Sequence, residues 1–293
     1  MRIAFVAFPY YRAYAALSAY NESSTLKEAF AARGATLDVI AAPDPSVDWA
    51  SFDAVLPLGC WGYHEDARAF LAWVDELEAR GARLLNPPSV LRWNVDKAYL
   101  CELRAAGVAV APFLHFPRGS RPDLAGEIAA AGYQRFVVKP TISANAARTL
   151  VADAPPGPEV LALVEEILGS SGLLVQPFFE EIPRDGEWSI LFFNGKVSHA
   201  VCKLPKPGDF RSQPDHGATV TQVAPSAAVV AQAEAALRAM PGRPTYARVD
   251  GFLRDGQLQL VELELIEPHL FIQAVDSGAA GRFCDAVLAT LRT

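Results

Sequence analysis

Leu260-Val261-Glu262-Leu263-Glu264-Leu265-Ile266-Glu267-Pro268 sets carboxylates into what otherwise reads as a β-strand. A strand turns successive side chains to opposite faces, so Glu262 and Glu264 project from the same side. Two like charges on one half-buried face repel, and a cation between them removes the cost. Upstream, Tyr246-Ala247-Arg248-Val249-Asp250-Gly251-Phe252-Leu253 is a second strand-like run, followed by Arg254-Asp255-Gly256-Gln257. An Asp-Gly step between apolar runs predicts a hairpin, which lays Asp250 across from Glu262 and Glu264. Three carboxylates on adjacent strands form an oxygen-rich site suited to magnesium, an ion that keeps waters and bridges to phosphates. The spacing alone fits a solvated acidic edge equally well, so the rest of the chain has to decide.

The chain has 293 residues, 51% of them apolar, which supports two or three packed units around a sizeable core. No apolar run reaches the length of a membrane span, and Met1 to Phe8, cut short by Pro9, reads as a first strand and not as a signal peptide. Cys60, Cys101, Cys202 and Cys284 lie far apart without paired spacing, against a zinc site or a disulfide framework and for a reducing cytoplasm. A net charge of −7 disfavours nucleic acid or an anionic membrane as partner and leaves room for a local basic pocket for phosphates. The expected partner is a small molecule.

Strand and helix signals alternate through the first part of the chain. Ile3 to Phe8 is apolar, Ser24 to Ala32 is helix-like and closed by Gly34, and Thr36 to Ala41 and Ala54 to Gly59 are strands. A helix from about Asp66 to Arg80 follows, with Gly81 as its C-cap, and Arg83 to Asn86 is a short strand. This βαβ rhythm predicts a small open α/β sheet. After the break at Asn86-Pro87-Pro88-Ser89, a helix is expected from about Asn94 to Ala106, with Asp96 and Lys97 in its first turn. Arg135 to Pro140 is a strand ending in Lys139, followed by the small-residue loop from Thr141 to Arg148, which lets a backbone approach a ligand closely. A helix is expected from about Glu159 to Leu168. Gly172 to Phe179 reads as a strand in which pairing stops at Pro177 or which lies at an edge. Trp188 to Phe193, Asn194-Gly195 and Lys196 to Lys203 form a strong hairpin signal.

Taken in order, a lysine after Asn-Pro-Pro, a strand lysine before a small loop, a Gln-Pro-Phe-Phe-Glu-Glu connection and a terminal carboxylate hairpin resemble the ATP-grasp superfamily, with the similarity running from about Asn86 to Pro268. Val138-Lys139-Pro140 is similar to the lid-strand lysine, Val175-Gln176-Pro177-Phe178-Phe179 to the adenine hinge, and Arg248-Val249-Asp250 with Glu262-Leu263-Glu264 to the magnesium ligands. Within the superfamily, Trp93 to Leu100, Gly186 to Phe193, Ser198 to Val201, Gly208 to Arg211 and Glu264 to Pro268 resemble the O-ureido-serine cyclo-ligase clade. Two positions depart from that pattern: Asn145 stands where a glycine is expected in the lid loop, and Trp61-Gly62-Tyr63 where an acidic residue is expected between the aromatics.

The resemblance implies roles, residue by residue. Asp250, Glu262 and Glu264 would hold magnesium, as two ions, with manganese as an alternative. Lys97 and Lys139 would be point charges on the ATP phosphates, a task for which lysine needs no fixed fork geometry. Gln176 would give an amide contact to the adenine and the backbone of Phe178 and Phe179 the remaining edge contacts, although ordinary core packing explains the two rings as well. Glu187 aligns with the acidic residue near the ribose, a role that Glu180 or Glu181 could share. Lys203 and Arg211 match the cations over the transferred phosphoryl group, and Arg248 adds a third cation or a salt bridge to a metal carboxylate. In the aromatic segment from Pro9 to Tyr14, at the end of the first strand, Arg12 would hold a substrate carboxylate, and Tyr14 or Tyr63 its amine or ring. None of the five histidines pairs with a Ser or Cys nucleophile in the sequence; His199 and His269 read as structural groups.

These readings predict an α/β (α+β) ATP-grasp fold: an N-terminal α/β domain over residues 1–93, a lid subdomain over 94–175 and a C-terminal antiparallel subdomain with the metal site over 176–293. The expected activity is an ATP- and Mg2+-dependent ligase that makes a C–N bond through a phosphorylated intermediate, most like closure of O-ureido-D-serine to D-cycloserine in antibiotic biosynthesis. The partner would be an amino-acid-like small molecule, with a homodimer left open. An intermolecular amino-acid or peptide ligase and a non-catalytic ATP-binding module are the alternatives. A dinucleotide-dependent oxidoreductase is disfavoured, since no Gly-x-Gly-x-x-Gly follows Phe8.

Overall fold

In the computed structural model, which describes residues 1–15 and 21–292, strand β1 (Arg2–Ala7) is buried from Ile3 onward. An apolar run buried on both faces belongs to a parallel sheet with helices on both sides. After β1 come α1 (Pro9–Ala15) and α2 (Glu22–Ala31), then β2 (Thr36–Ala41) and β3 (Ala54–Gly59), which flank β1 on opposite edges and run parallel to it. Helix α3 (Ala67–Ala79) starts where Asp66 accepts the Ala69 N–H at 2.9 Å, and buries Phe70, Trp73, Val74 and Leu77 against Ala4, Val6 and Val55 of the sheet. Because the chain leaves β1 for one edge and returns on the other, the sheet reverses its order between β1 and β3. Ligands of open α/β sheets bind at such a switch point, outside the carboxyl ends of the strands.

The single helix expected from about Asn94 to Ala106 is broken in the structure: α4 (Pro88–Asn94) stops at Asn94 and α5 (Tyr99–Ala105) restarts at Tyr99. The cause is local. The Lys97 N–H bonds the Thr141 carbonyl at 2.9 Å, and Asp96 takes the Ala98 N–H at 2.8 Å, so the chain turns between the helices. Next come β4 (Leu114–Phe116), α6 (Leu124–Ala130), β5 (Arg135–Pro140), β6 (Leu150–Asp153), α7 (Pro158–Ser170) and β7 (Leu173–Pro177). Their strands form an antiparallel sheet in the order β4-β7-β5-β6, with α6 and α7 packed on Phe136, Val138 and Val175. Pairing of β7 with β4 ends at Val175 and with β5 at Pro177, where the missing N–H stops the ladder.

The last sheet is antiparallel, in the order β10-β9-β8-β11-β12. After α8 (Glu181–Asp185), β8 (Glu187–Phe193) and β9 (Lys196–Leu204) are joined by Asn194 and Gly195 at φ 47° and 73°, the left-handed pair a tight hairpin needs. β10 (Thr219–Val223) and α9 (Ala227–Ala239) follow, and then β11 (Tyr246–Arg254) and β12 (Gln257–Glu264), turned by Asp255 and Gly256 at φ 52° and 74°. Their register pairs Asp250 with Glu262 and Arg248 with Glu264. Helix α10 (Ala279–Leu291) returns to the first sheet beside α2, with the Phe30 and Phe283 ring centroids 6.4 Å apart.

β12 is an edge strand, yet its outer backbone groups are bonded. Ala109 O accepts the Leu260 N–H and Leu260 O accepts the Ala111 N–H, each at 2.8 Å. Tyr99 serves Leu263, Asn94 serves Leu263 O and Leu265 N, and the Asn86 amide donates to Leu265 O and Tyr246 O at 2.8 Å. The carboxylate strand is therefore held rigidly from both sides. Among the described residues no helix is long and apolar enough to cross a membrane.

Candidate active site

A cavity of about 600 Å³ opens where the three sheets face one another. One end is lined by Val137, Lys139, Gln176, Phe178, Phe179 and Val261, the floor by Lys97, Lys203, Arg248, Asp250, Glu262 and Glu264, and the far wall by Tyr10, Tyr14, Trp61 and Tyr63. The last group comes from the carboxyl ends of β1 and β3, the switch point of the parallel sheet. Of the residues singled out in the sequence, Lys97, Lys139, Gln176, Phe178, Phe179, Glu187, Lys203, Arg211, Arg248, Asp250, Glu262, Glu264, Tyr14 and Tyr63 line the cavity. Arg12, exposed on α1, does not line it; nor do Glu180 and Glu181, which face Arg135 at 3.9 Å and Arg254 at 2.6 Å.

The floor is an alternation of charges. Lys97, Lys203, Arg248 and Asp250 are only 4, 4, 6 and 3% exposed, so each has to be paired. Lys97 Nζ stands 3.1 Å from Glu262 Oε1 and also donates to the Ser143 carbonyl in the loop after β5. Lys203 Nζ lies 2.9 Å from Glu187 Oε2 and 3.7 Å from Asp250 Oδ2. Arg248 clasps Asp250 with Nε to Oδ1 at 3.0 Å and Nη2 to Oδ2 at 2.9 Å, and reaches Glu264 with the same Nη2. Ser189 Oγ donates to Asp250 Oδ1 at 2.6 Å, and Ser212 donates to Glu187.

These contacts set the protonation states. Burial works against the charge of Arg248, but Asp250 and Glu264 outweigh it and raise its pKa; Lys203 is raised in the same way by Asp250 and Glu187. Asp250 is held below the usual carboxylate range, Arg248 and Lys203 prevailing over burial. Lys139 is pushed down, by burial first and by Lys97. Glu264 moves the other way, to about 7: burial lifts it, and Asp250 and Glu262 add like charge that Arg248 only partly offsets.

The donor set fits a hard divalent ion. Asp250, Glu262 and Glu264 offer only carboxylate oxygens, the donors such an ion takes. In the described residues no three such groups converge tightly enough to hold a metal, because each carboxylate is turned to a lysine or arginine. At the other end of the cavity the Gln176 amide nitrogen is buried and has no hydrogen-bond partner among the described residues, an orphan donor suited to a heterocycle acceptor.

The far wall explains one departure seen in the sequence. Gly62 has φ 93°, and a Cβ there would lie 2.6 Å from the Tyr10 ring, so no acidic side chain fits between Trp61 and Tyr63. His199 is a structural group, its ring nitrogens bonded to Leu270 O at 2.7 Å and Ser198 Oγ at 2.9 Å. Sequence reasoning missed Glu267, Trp61 and Ser189, which join the cavity or its floor. Glu267 lies in the opening stretch itself, but past the end of β12, where the two-residue period no longer tells which way a side chain points.

This arrangement of an open α/β sheet, a four-stranded antiparallel sheet and a second antiparallel sheet carrying paired carboxylates and buried cations is that of an ATP-grasp ligase, an enzyme class that works on ATP with Mg2+. The fold matches the crystal structure of D-cycloserine synthetase DcsG with a TM-score of 0.86 and 29% identity, over 99% of this chain and 100% of that one. It matches D-alanine–D-alanine ligase from Bacillus anthracis complexed with ATP with a TM-score of 0.71 and 16% identity, over 100% of this chain and 97% of that one. Residues 3–86 match the family model of the D-cycloserine synthetase DcsG N-terminal domain. The cycloserine biosynthesis protein DcsG of Streptomyces lavendulae is 33% identical over 288 residues, covering 91% of this chain and 93% of that protein. The chain belongs to the D-cycloserine synthetase DcsG family.

Proposed function

We propose that the chain closes an O-ureido-serine-like amino acid to a cycloserine-type ring, with ATP lying along Gln176, Lys139 and Lys97 and the amino acid on the side of Trp61 and Tyr63. The observation that carries this reading is the buried row of Lys97, Lys203 and Arg248 set against Glu262, Asp250 and Glu264. Cations fixed in a water-poor floor stabilise charge that develops on a transferred phosphoryl group, and such donors are worth about 2.7–4 kcal/mol each. Lys97 and Lys139 would neutralise the phosphates, and Lys203, Arg248 and Arg211 the γ-phosphoryl group in flight. Asp250, Glu262 and Glu264 would hold Mg2+, as two ions with Mn2+ as a substitute, which when bound neutralises phosphate charge. Glu187, tied to Lys203, would face the ribose side.

A substrate carboxylate oxygen attacks the γ-phosphorus and ADP leaves; the oxygen-bound ureido nitrogen then attacks the acyl carbon, losing its proton, and inorganic phosphate leaves, after which water cleaves the carbamoyl group from that nitrogen as carbon dioxide and ammonia. The chain supplies position and charge, and no side chain of the floor is arranged as a covalent nucleophile. Closure of residues 94–175, with the Ser143 loop moving over the phosphates, would keep water from the acyl phosphate. Incubation with ATP, Mg2+ and O-ureido-D-serine should yield ADP and the ring product. No ADP above background rules out the cyclo-ligase reading, and ADP formed only with a pair of amino acids favours an intermolecular ligase. The Glu262→Gln, Glu264→Gln double variant should lose turnover; a pure ATP-binding module would show none to lose.

A further inference from the structure

Glu267 lies three residues beyond Glu264, on the cavity wall with Trp61, Tyr63 and Phe271. Glu262, Glu264, Glu187 and Asp250 each face a lysine or arginine, whereas among the described residues no hydrogen bond or ion pair reaches the Glu267 carboxylate. A half-buried carboxyl group left without a partner is costly, and a ligand that brings a positive donor removes that cost. On the same wall the Trp61 indole N–H is buried without a partner among the described residues, its ring packed by Tyr11 and Tyr14 with centroids 5.4 and 5.1 Å away. The cavity thus presents a guanidinium at its floor and, on one wall, an acceptor for a cation and a donor for a carbonyl oxygen.

We propose that Glu267 is the counter-ion of the substrate's α-ammonium group, and that with Arg248 at the carboxylate and the Trp61 N–H at a side-chain carbonyl it restricts the cavity to zwitterionic α-amino acids bearing a ureido- or amide-like end. The ammonium and carboxylate of such a molecule are separated only by the α-carbon, and Glu267 and Arg248 line the same cavity. Holding the ammonium at Glu267 turns the carboxylate toward the floor where phosphoryl transfer occurs, which makes Glu267 a specificity residue. The assignment rests on the ligase reading above for the identity of the pocket, and not on which amino acid is closed.

The test compares wild type, Glu267→Gln and Glu267→Asp with an amino-acid substrate and its des-amino analogue, scoring ADP release and calorimetric binding in the presence of ADP and Mg2+. Truncating one partner of a buried charge pair predicts that Glu267→Gln raises the KM for the amino acid by roughly thirtyfold or more. The KM for ATP and the Mg2+ midpoint should stay within about twofold, with discrimination against the des-amino analogue abolished and Glu267→Asp partly restored. A shifted Mg2+ midpoint would make Glu267 a metal ligand and overturn the proposal, as would equal weakening of the amino acid and its des-amino analogue. Should the glutamine variant not fold, the des-amino preference of wild type decides: a wild-type protein indifferent to the α-amine has no such counter-ion. If O-ureido-D-serine gives no ADP but another amino acid does, the cyclo-ligase reading fails while the same comparison on that amino acid still tests Glu267.

Discussion

The Tyr99 hydroxyl is bound to both backbone groups of Leu263, accepting its N–H at 2.8 Å and donating to its C=O at 3.0 Å. Leu263 separates Glu262 from Glu264, and Tyr99 opens the helix that follows Lys97. One buried hydroxyl therefore ties the segment that follows Lys97 to the carboxylate strand, on which Glu262 stands 3.1 Å from Lys97.

Tyr99→Phe keeps the ring in the core and leaves the Leu263 N–H without its partner, while the Leu263 C=O keeps only the Asn94 amide at 2.9 Å. An unmet buried backbone group costs about 1–3 kcal/mol. The urea midpoint should fall accordingly, and the Mg2+ concentration needed for half-maximal ADP release should rise as the carboxylates lose their fixed spacing. A variant equal to wild type in both measurements would show that the clamp does not position the site.

Since Glu262 already holds Lys97, and Asp250 and Glu264 already hold Arg248, a metal entering alone has to displace ammonium and guanidinium groups, each of which then needs another anion. Nucleotide phosphates supply that anion. Mg2+ and ADP should bind cooperatively, with a coupling of about 1–3 kcal/mol, or about 5- to 150-fold in affinity, measurable by calorimetry of each with and without the other. Lys97→Met frees Glu262 and should reduce the coupling while strengthening Mg2+ binding without nucleotide. Independent binding of the two in wild type would contradict this exchange of partners.

Short-range signals carried most of the fold. The Asn194-Gly195 and Asp255-Gly256 turns, and with them the Asp250–Glu262 register, follow from turn chemistry and a two-residue period. The parallel strands of the first sheet were equally plain, as apolar runs spaced by amphipathic helices. What escaped was set by contacts distant in sequence. The break between Asn94 and Tyr99 comes from the Thr141 carbonyl, which no local propensity announces. The clasp of Arg248 on both Asp250 and Glu264 needs the folded register, and Glu267 joins the cavity only because the chain leaves the strand after Glu264. The missing acidic residue at Gly62 became intelligible once the Tyr10 ring was found against it.

Arg248 meets Asp250 through a two-pronged contact and also donates to the His269 carbonyl at 3.1 Å, a fork that lysine cannot reproduce. Arg248→Lys keeps a positive charge in the floor but loses its direction. Single-turnover kcat should drop by about 10²–10³, the range for one lost transition-state donor, with a smaller change in ATP affinity. Arg248→Met goes further and leaves Asp250 with Lys203 at 3.7 Å as its remaining cation, so a loss of about 3–5 kcal/mol is expected in urea unfolding. An unchanged single-turnover rate in the lysine variant would remove Arg248 from the chemical step.

Glu22, at the start of α2, accepts the N–H groups of Leu270 at 2.9 Å and Ile272 at 3.2 Å and so holds the loop whose His269 carbonyl receives Arg248. Burial lifts its pKa from 4.5 to about 7 in spite of those bonds. The folded protein then binds more protons than the unfolded chain between these two values. The contribution of Glu22 is therefore fully present below the unfolded value, is lost as pH rises toward 7, and is level above that. A shift of this size corresponds to roughly 3 kcal/mol. Glu22→Gln should flatten that part of the stability profile measured by urea unfolding from about pH 4.5 to 7.5, at a constant cost for one lost acceptor. Subtracting the variant's profile isolates Glu22 from Glu264, which titrates near the same pH and in the same direction. A variant profile parallel to wild type would mean that Glu22 stays ionised in the fold and that burial does not govern it.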